Sequence, residues 1–225
     1  MKSNTFKSEL FTQFARVGKA LSNANRLELL EFLAQGSRSV DSLAKVAKLS
    51  IANTSQHLQH LRQAGLVTSQ KEGLKVFYSI SGDDVIDMLD SLRDVAERHL
   101  SDVDKLVNTY LTAKDHLDPI PAAELLERAK QDLVTVLDVR PKEEFEAGHV
   151  QGAINIPVED LEQHLEQFDP RQEIVAYCRG PHCILAFDAV AQLREKGFQA
   201  RRLENGYPEW KIAGLPVEKN TSNTH

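Results

Sequence analysis

EIVAYCRGPHCILAF, residues 173–187, decides how the second half of this chain folds. Glu173–Tyr177 is a short apolar run with the length of a buried strand. Gly180 and Pro181 then punctuate a turn, and from Ile184 the apolar residues recur at helical spacing. A strand, a turn and a helix in that order put the turn at the carboxyl end of a strand, where open α/β sheets bind their ligands. Both cysteines of the chain, Cys178 and Cys183, bracket this turn. Loop amides and the positive end of the following helix favour an anion there. A thiolate is an anion, and cysteines so placed commonly have pKa values of roughly 3.5–7.5 against ~8.5 when free. Arg179 and His182 are expected to add positive charge, and Gly180 to supply a positive φ that turns amides inward. Pro181 removes one donor.

The flanking sequence supports this reading. LVTVLDV (133–139), AINIP (153–157) and QARRLEN (199–205) read as further short strands. PAAELLERAKQD (121–132), VEDLEQHLEQF (158–168) and the run after Cys183 read as helices. Strands alternating with helices predict a parallel α/β sheet with helices on both faces. TAKDHLDPIP (112–121) breaks the helical pattern with two prolines. We therefore place a linker at 112–118, with domains at 1–111 and 119–225 and a disordered tail at the end. Two domains of roughly 100 residues suit a chain of 225. No apolar run approaches the ~18 residues of a membrane span, and the N-terminus has no apolar signal core. Two cysteines are too few for a secreted disulfide framework, so a cytoplasmic protein is expected.

The net charge of -6 is unevenly distributed: residues 1–80 hold 11 Lys and Arg against 5 Asp and Glu. A basic first segment in an acidic chain suggests a surface that faces a polyanion. Phe6, Leu10, Phe14, Val17 and Leu21 mark an amphipathic first helix. Asn25 is expected to cap a second helix, which Gly36 ends. SVDSLAKVAKLS (39–50), capped by Ser39, and SIANTSQHLQHLRQAGLV (50–67), capped by Ser50 and stopped by Gly65, form a helix-turn-helix. The outer face of the latter helix carries Asn53, Ser55, Gln56, Gln59 and Arg62, with no acid. Amides pair bidentately with adenine edges, and Arg binds guanine or phosphate. LVTSQKEGLKVFYSIS (66–81) reads as a β-hairpin, a wing with Lys71 and Lys75 near its tip to touch phosphate. Residues 83–112 read as one long amphipathic helix with more apolar face than its own domain covers, which suggests an isologous dimer. His57 and His60 lack a third ligand nearby, so no metal is assigned.

ALSNANRLELLEFLAQG (20–36), LAKVAKLSIANTSQHLQHLRQAGLV (43–67) and the wing resemble the ArsR-type winged-helix repressors over residues 5 to about 111. The resemblance implies a homodimer, built through its first and last helices, that binds an inverted repeat in double-stranded DNA and leaves it when an inducer binds. The cysteines of the family's metal sensors are missing from this half, and so is the Asp/His spacing of its zinc sensors. Ser69 and Leu74 stand where the family often carries Arg.

LDVRPKEEFEAGHVQGAINIP (137–157), YCRGPHCILA (177–186) and LENGYPEWKIAGLPV (203–217) resemble the rhodanese domain over about 119–218. The resemblance implies that Cys178 is the nucleophile that accepts sulfane sulfur from a small donor and yields it to an acceptor thiol. The loop from Cys178 to Cys183 has the six residues typical of sulfur transfer, not the seven of the phosphatase-like members. Asp138 and Arg140 match a strand-end pair that supports the site wall, while His149 and Trp210 match structural positions. Cys183 departs from the pattern and could resolve a persulfide on Cys178, or simply pack at the helix start.

Three functions follow as expectations. The first is a repressor whose rhodanese domain senses reactive sulfur through Cys178 and Cys183. The second is a thiosulfate or persulfide sulfurtransferase whose DNA domain is only autoregulatory. The third is a metalloid-responsive repressor using the two thiols. No cofactor and no membrane partner is expected.

Overall fold

The computed structural model describes residues 2–112, 114 and 118–219. The chain divides into two compact units, Met1–Asp87 and Met88–His225. That division falls upstream of the linker expected at 112–118, of which 113 and 115–117 lie outside the described residues. The expected tail, 220–225, lies outside them as well.

In the first unit, α1 (Lys2–Leu21) leads into α2 (Ala24–Ala34). Asn23 caps α2, not Asn25, which lies inside the helix. The Asn23 side chain accepts the Arg26 N–H at 3.2 Å from an extended backbone, the conformation a cap requires. Ser39 and Ser50 cap α3 (Val40–Val46) and α4 (Ile51–Gln63) as expected, accepting N–H groups at 3.3 and 3.2 Å. Gly65, at φ 81°, ends α4 in the left-handed region. Leu29, Leu30, Leu43, Leu58 and Leu61 form a fully buried core. β2 (Val67–Glu72) and β3 (Lys75–Ile80) make the expected hairpin. β1 (Arg38–Ser39) adds a third strand on β3. Two residues are too few for a periodic signal, so the sequence does not reveal that strand.

The single long helix expected over 83–112 is interrupted. α5 (Asp83–His99) stops, Leu100 takes φ -109° and ψ 102°, and α6 (Ser101–Val107) starts afresh before a π-helical turn at Asn108–Thr112. Asp102 and Asp104 fall in the first turn of α6, where the helix dipole favours carboxylates. The apolar spacing resumes after the break and so conceals it.

The second unit contains α7 (Ala122–Lys130), β4 (Val134–Asp138), α8 (Lys142–Ala147), β5 (His149–Val150), β6 (Ile154–Asn155) and β7 (Glu173–Tyr177). α9 (Ile184–Glu195), β8 (Ala200–Arg202), α10 (Tyr207–Ile212) and β9 (Val217–Glu218) follow. Four strands form a parallel sheet in the order β6-β4-β7-β8. Side chains of β7 alternate between its faces, as the pleat demands. Ile174, Ala176 and Cys178 pack with Ala186, Ala189 and Val190 of α9. Val175 and Tyr177 pack with Leu125 of α7 and with Tyr207 and Trp210 of α10. Helices therefore cover both faces. Residues 158–168, expected as an α-helix, instead form a 3-10 coil over Leu161–Gln167. Buried Leu161 and Phe168 anchor its ends, and a 3-10 coil rises about 2.0 Å per residue against 1.5 Å, so it spans more distance between fixed anchors.

Asp138 and Arg140 are fully buried and paired. Arg140 donates to both Asp138 oxygens and to the Gly148 carbonyl at 2.8 Å. The Tyr177 hydroxyl donates to Asp138 and accepts the Val150 N–H. Burial and the Asp138 charge push the Tyr177 phenol well above its ordinary range, so it stays a donor. This network joins β4, β7 and the strand after α8. Removing one member of a buried pair leaves an uncompensated charge. Asp138→Ala should therefore cost about 3–5 kcal/mol in urea unfolding, followed through buried Trp210, the chain's one tryptophan. A loss under about 1 kcal/mol would contradict the network's structural role.

Candidate functional site

Cys178 is the first residue beyond β7 and Cys183 is the N-cap of α9. Their Cα atoms are 6.1 Å apart and their sulfurs form a disulfide. The Cys178 sulfur is thus held at the N-terminus of a 12-residue helix that has no side-chain cap and no acid in its first turn. The first N–H groups of such a helix have no partner within it. Cys178 is 1% exposed and Cys183 9%.

The turn is built differently from the sequence expectation. Gly180 does not adopt a positive φ, and a Cβ there would meet only ordinary contacts. The glycine that the geometry requires is Gly206. A Cβ on it would be driven into the Arg179–Gly180 peptide group, although its φ of -102° is open to any residue. Next to it, the Tyr207 N–H donates to the Cys178 carbonyl at 3.0 Å, and the Glu209 carboxylate accepts the Gly206 N–H at 2.9 Å. The start of α10 therefore presses on the cysteine loop.

The charges also differ from expectation. Arg179 forms a bidentate pair with buried Glu144, with contacts of 2.8–3.1 Å. A carboxylate in α8 with no exposure claims the guanidinium more strongly than an open loop does. His182 adds no charge at neutral pH: burial lowers its pKa, and Arg93 and Arg202 lower it further against the pull of Glu97. Positive potential at the loop thus comes from Arg93 and Arg202. Asp138 and Arg140 bond to each other and to the framework, one strand away. His149 Nδ1 donates to the Phe145 carbonyl at 2.8 Å, and Trp210 donates to the Pro216 carbonyl at 2.9 Å.

In the first unit, Asn53, Gln56, Gln59 and Arg62 are exposed along α4, while Ser55 is half-buried and the Ser50 hydroxyl is occupied as a cap. Arg62 donates to Ser69 at 3.1 Å, tying α4 to the wing. Lys71 and Lys75 are exposed beside a fully exposed Leu74 at the wing tip. Sequence reasoning missed Ile51, 58% exposed at the start of α4, where an apolar side chain can meet a thymine methyl. It also missed a cavity of about 300 Å³ lined by Arg16, Lys19, Arg26, His60 and Gln63, with no acid in its lining. The basic excess of residues 1–80 was the available signal. Among the described residues, no group of three His, Cys, Asp or Glu side chains is arranged to hold a metal, and no helix is long and apolar enough to cross a membrane.

Fold and sites together define a two-domain DNA-binding transcriptional regulator: a winged helix-turn-helix followed by a rhodanese-like sheet with a cysteine loop. Residues 23–69 match the model for bacterial regulatory proteins of the arsR family, and residues 121–213 match the rhodanese-like domain. HTH-type transcriptional regulator Rv0324 of Mycobacterium tuberculosis is 42% identical over 219 residues, covering 97% of this chain and 96% of that protein. The chain belongs to the arsR family of bacterial regulatory proteins and carries a C-terminal rhodanese-like domain. Thiosulfate sulfurtransferase GlpE of Vibrio cholerae is 27% identical over 104 residues, 46% of this chain and 93% of that protein. A solved homodimeric winged helix-turn-helix domain, fragment 1–100 of Mb0332 from Mycobacterium bovis, is 41% identical and covers 42% of this chain and 87% of its own, with a TM-score of 0.40.

Gly206→Ala should displace the Arg179–Gly180 peptide. Overpacking of this kind costs about 1–3 kcal/mol, measured in urea unfolding followed at Trp210. It should also change the alkylation rate of the reduced cysteines at least threefold, about 0.65 kcal/mol in barrier. Wild-type stability and rate would contradict the contact.

Proposed function

We propose that this protein is a cytoplasmic homodimeric repressor whose rhodanese-like domain senses sulfane sulfur at Cys178, with Cys183 as the resolving thiol. The observation that carries this reading is the pairing of the chain's two cysteines across one loop at a helix N-terminus. A thiolate there is stabilised by the helix dipole and by the charges of Arg93 and Arg202. The Cys178 thiolate attacks the outer sulfur of a persulfide or polysulfide, the donor leaves as a thiolate, and Cys178 becomes a persulfide. The Cys183 thiolate then attacks the inner sulfur, and hydrosulfide leaves as the disulfide forms. Two thiols are oxidised and one sulfane sulfur is reduced, so no other oxidant is required. A Cα separation of 6.1 Å lies within the roughly 4.4–6.8 Å that a disulfide tolerates.

Several features support the DNA half of the proposal. α4 offers amides and Arg62 to base edges, with Lys71 and Lys75 on the wing for phosphates. In the first unit, the exposed apolar residues Phe6, Phe11 and Phe14 on α1 supply surface of the kind an isologous dimer buries. For sulfur to regulate, its two states must favour different dimer arrangements, because equal affinity for both shifts nothing.

A second reading, steady sulfurtransferase turnover, draws on the likeness to the Vibrio cholerae enzyme. It requires release of sulfur to an external thiol faster than Cys183 closes the loop.

The test is a fluorescence-anisotropy titration of a duplex selected by the protein from a random pool, with and without sodium tetrasulfide. Affinity should shift at least tenfold in the wild type, about 1.4 kcal/mol, and not at all in Cys178→Ser. Equal affinity in the wild type under both conditions would overturn sensing. Turnover of thiosulfate with cyanide that persists in Cys183→Ser would favour the enzyme.

A further inference from the structure

Two residues of α5 reach the cysteine loop inside the second unit. Arg93 Nη1 lies 3.6 Å from Glu209 Oε1, and its Nη2 lies 3.8 Å from where a Cβ on Gly180 would stand. One helical turn on, Glu97 Oε1 lies 3.3 Å from His182 Nε2. The i, i+4 spacing puts both side chains on one face of α5. Glu209 is 10% exposed and also caps Gly206, the residue pressed on the Arg179–Gly180 peptide. The middle of the loop is thus tied to α5 directly at His182 and indirectly, through Glu209 and Gly206, at the Arg179–Gly180 peptide, while the two cysteines hold its ends. The sulfur chemistry described above uses Arg93 only as a positive charge near the thiolate, and it does not use Glu97 or Glu209.

Building on the sulfur-handling reading of this loop, we infer that Arg93 and Glu97 are positioning residues of the cysteine site, holding the loop closed over Cys178 through Glu209 and His182. A donor must bring a sulfur atom in line with the Cys178 sulfur, and that residue is 1% exposed. The loop has to move before the donor can enter. Side-chain exposures of 28% for Arg93, 39% for Glu97 and 34% for His182 leave both contacts partly in water. With an uncharged His182 the second is a polar contact and not an ion pair, so each is individually weak. Two weak ties make a closure that opens readily, whereas one dry pair would lock it. Burial and repulsion from Asp90 push the Glu209 carboxyl up to about 7, with Arg93 and the Gly206 N–H opposing. Protonation of Glu209 below that pH removes its pull on Arg93 and loosens one tie.

The test is the iodoacetamide alkylation rate of Cys178 in the reduced full chain carrying Cys183→Ser, at a fixed pH of about 8 where the free thiol is partly ionised. Adding Arg93→Gln with Glu97→Gln should speed alkylation at least fivefold, and Glu209→Gln should speed it in the same direction. Arg93→Lys, which keeps the charge, should restore a rate within twofold of the parent. Electrostatics alone leaves the double variant, which loses one charge of each sign, nearly unchanged and speeds Glu209→Gln. The discriminating variant is therefore Arg93→Gln by itself: loss of a nearby guanidinium raises a thiol pKa and slows alkylation, whereas release of the loop speeds it. A rate unchanged or slower in Arg93→Gln would overturn the inference. Intact mass after sodium tetrasulfide separates the two readings. Faster alkylation with no sulfur gained on Cys178 upholds the positioning role and sinks the sulfur reading. Sulfur gained equally, with no change in alkylation rate, does the reverse.

Discussion

The site depends on the pleat of one strand. Tyr177 and Cys178 are consecutive and must point to opposite faces of the sheet. Tyr177 turns toward the buried Asp138–Arg140 pair and α10, and its hydroxyl is fixed at both ends. Cys178 is thereby committed to the α9 face. A strand register shifted by one residue would bury the sulfur among α7 and α10 and put the phenol at the helix N-terminus. The Asp138 network, which touches no sulfur, therefore determines where the sulfur goes.

The second constraint is steric. α10 begins with Gly206 against the loop peptide, and the Tyr207 N–H holds the Cys178 carbonyl. That contact shapes the turn from outside. Arg179 is drawn into a buried pair with Glu144, which anchors the first half of the loop to α8. Positive charge acting on His182 of the loop comes from residues distant in sequence, Arg93 and Arg202. One loop accordingly joins β7, α5, α8, α9 and α10.

Much of this was legible in the chain. Strong local signals, such as Ser39 and Ser50 before apolar runs or Gly65 after one, correctly set the helix-turn-helix. Continuous apolar runs marked β4 and β7, and the bracketing of Gly180–Pro181 by cysteines located the loop. Features set by tertiary contact were not legible. Gly180 drew attention as a turn glycine, yet Gly206, 26 positions later, bears the steric demand. Arg179 and His182 looked cationic because adjacent residues suggest adjacent function, but Glu144 and burial decided otherwise. The capping spacing of Gly206 and Glu209 within NGYPEW is a local helix-start signal for α10. The break at Leu100 was hidden because apolar periodicity continues through it.

The most direct measurement of the central claim is the pH dependence of Cys178 alkylation in the reduced full chain with Cys183→Ser. A sulfur stabilised as an anion by the α9 terminus and the neighbouring guanidinium groups should show a midpoint at least about one unit below the ~8.5 of free cysteine. A midpoint at or above ~8.5 would mean that burial dominates. The loop would then hold an inert structural cysteine, not a sulfur-accepting one.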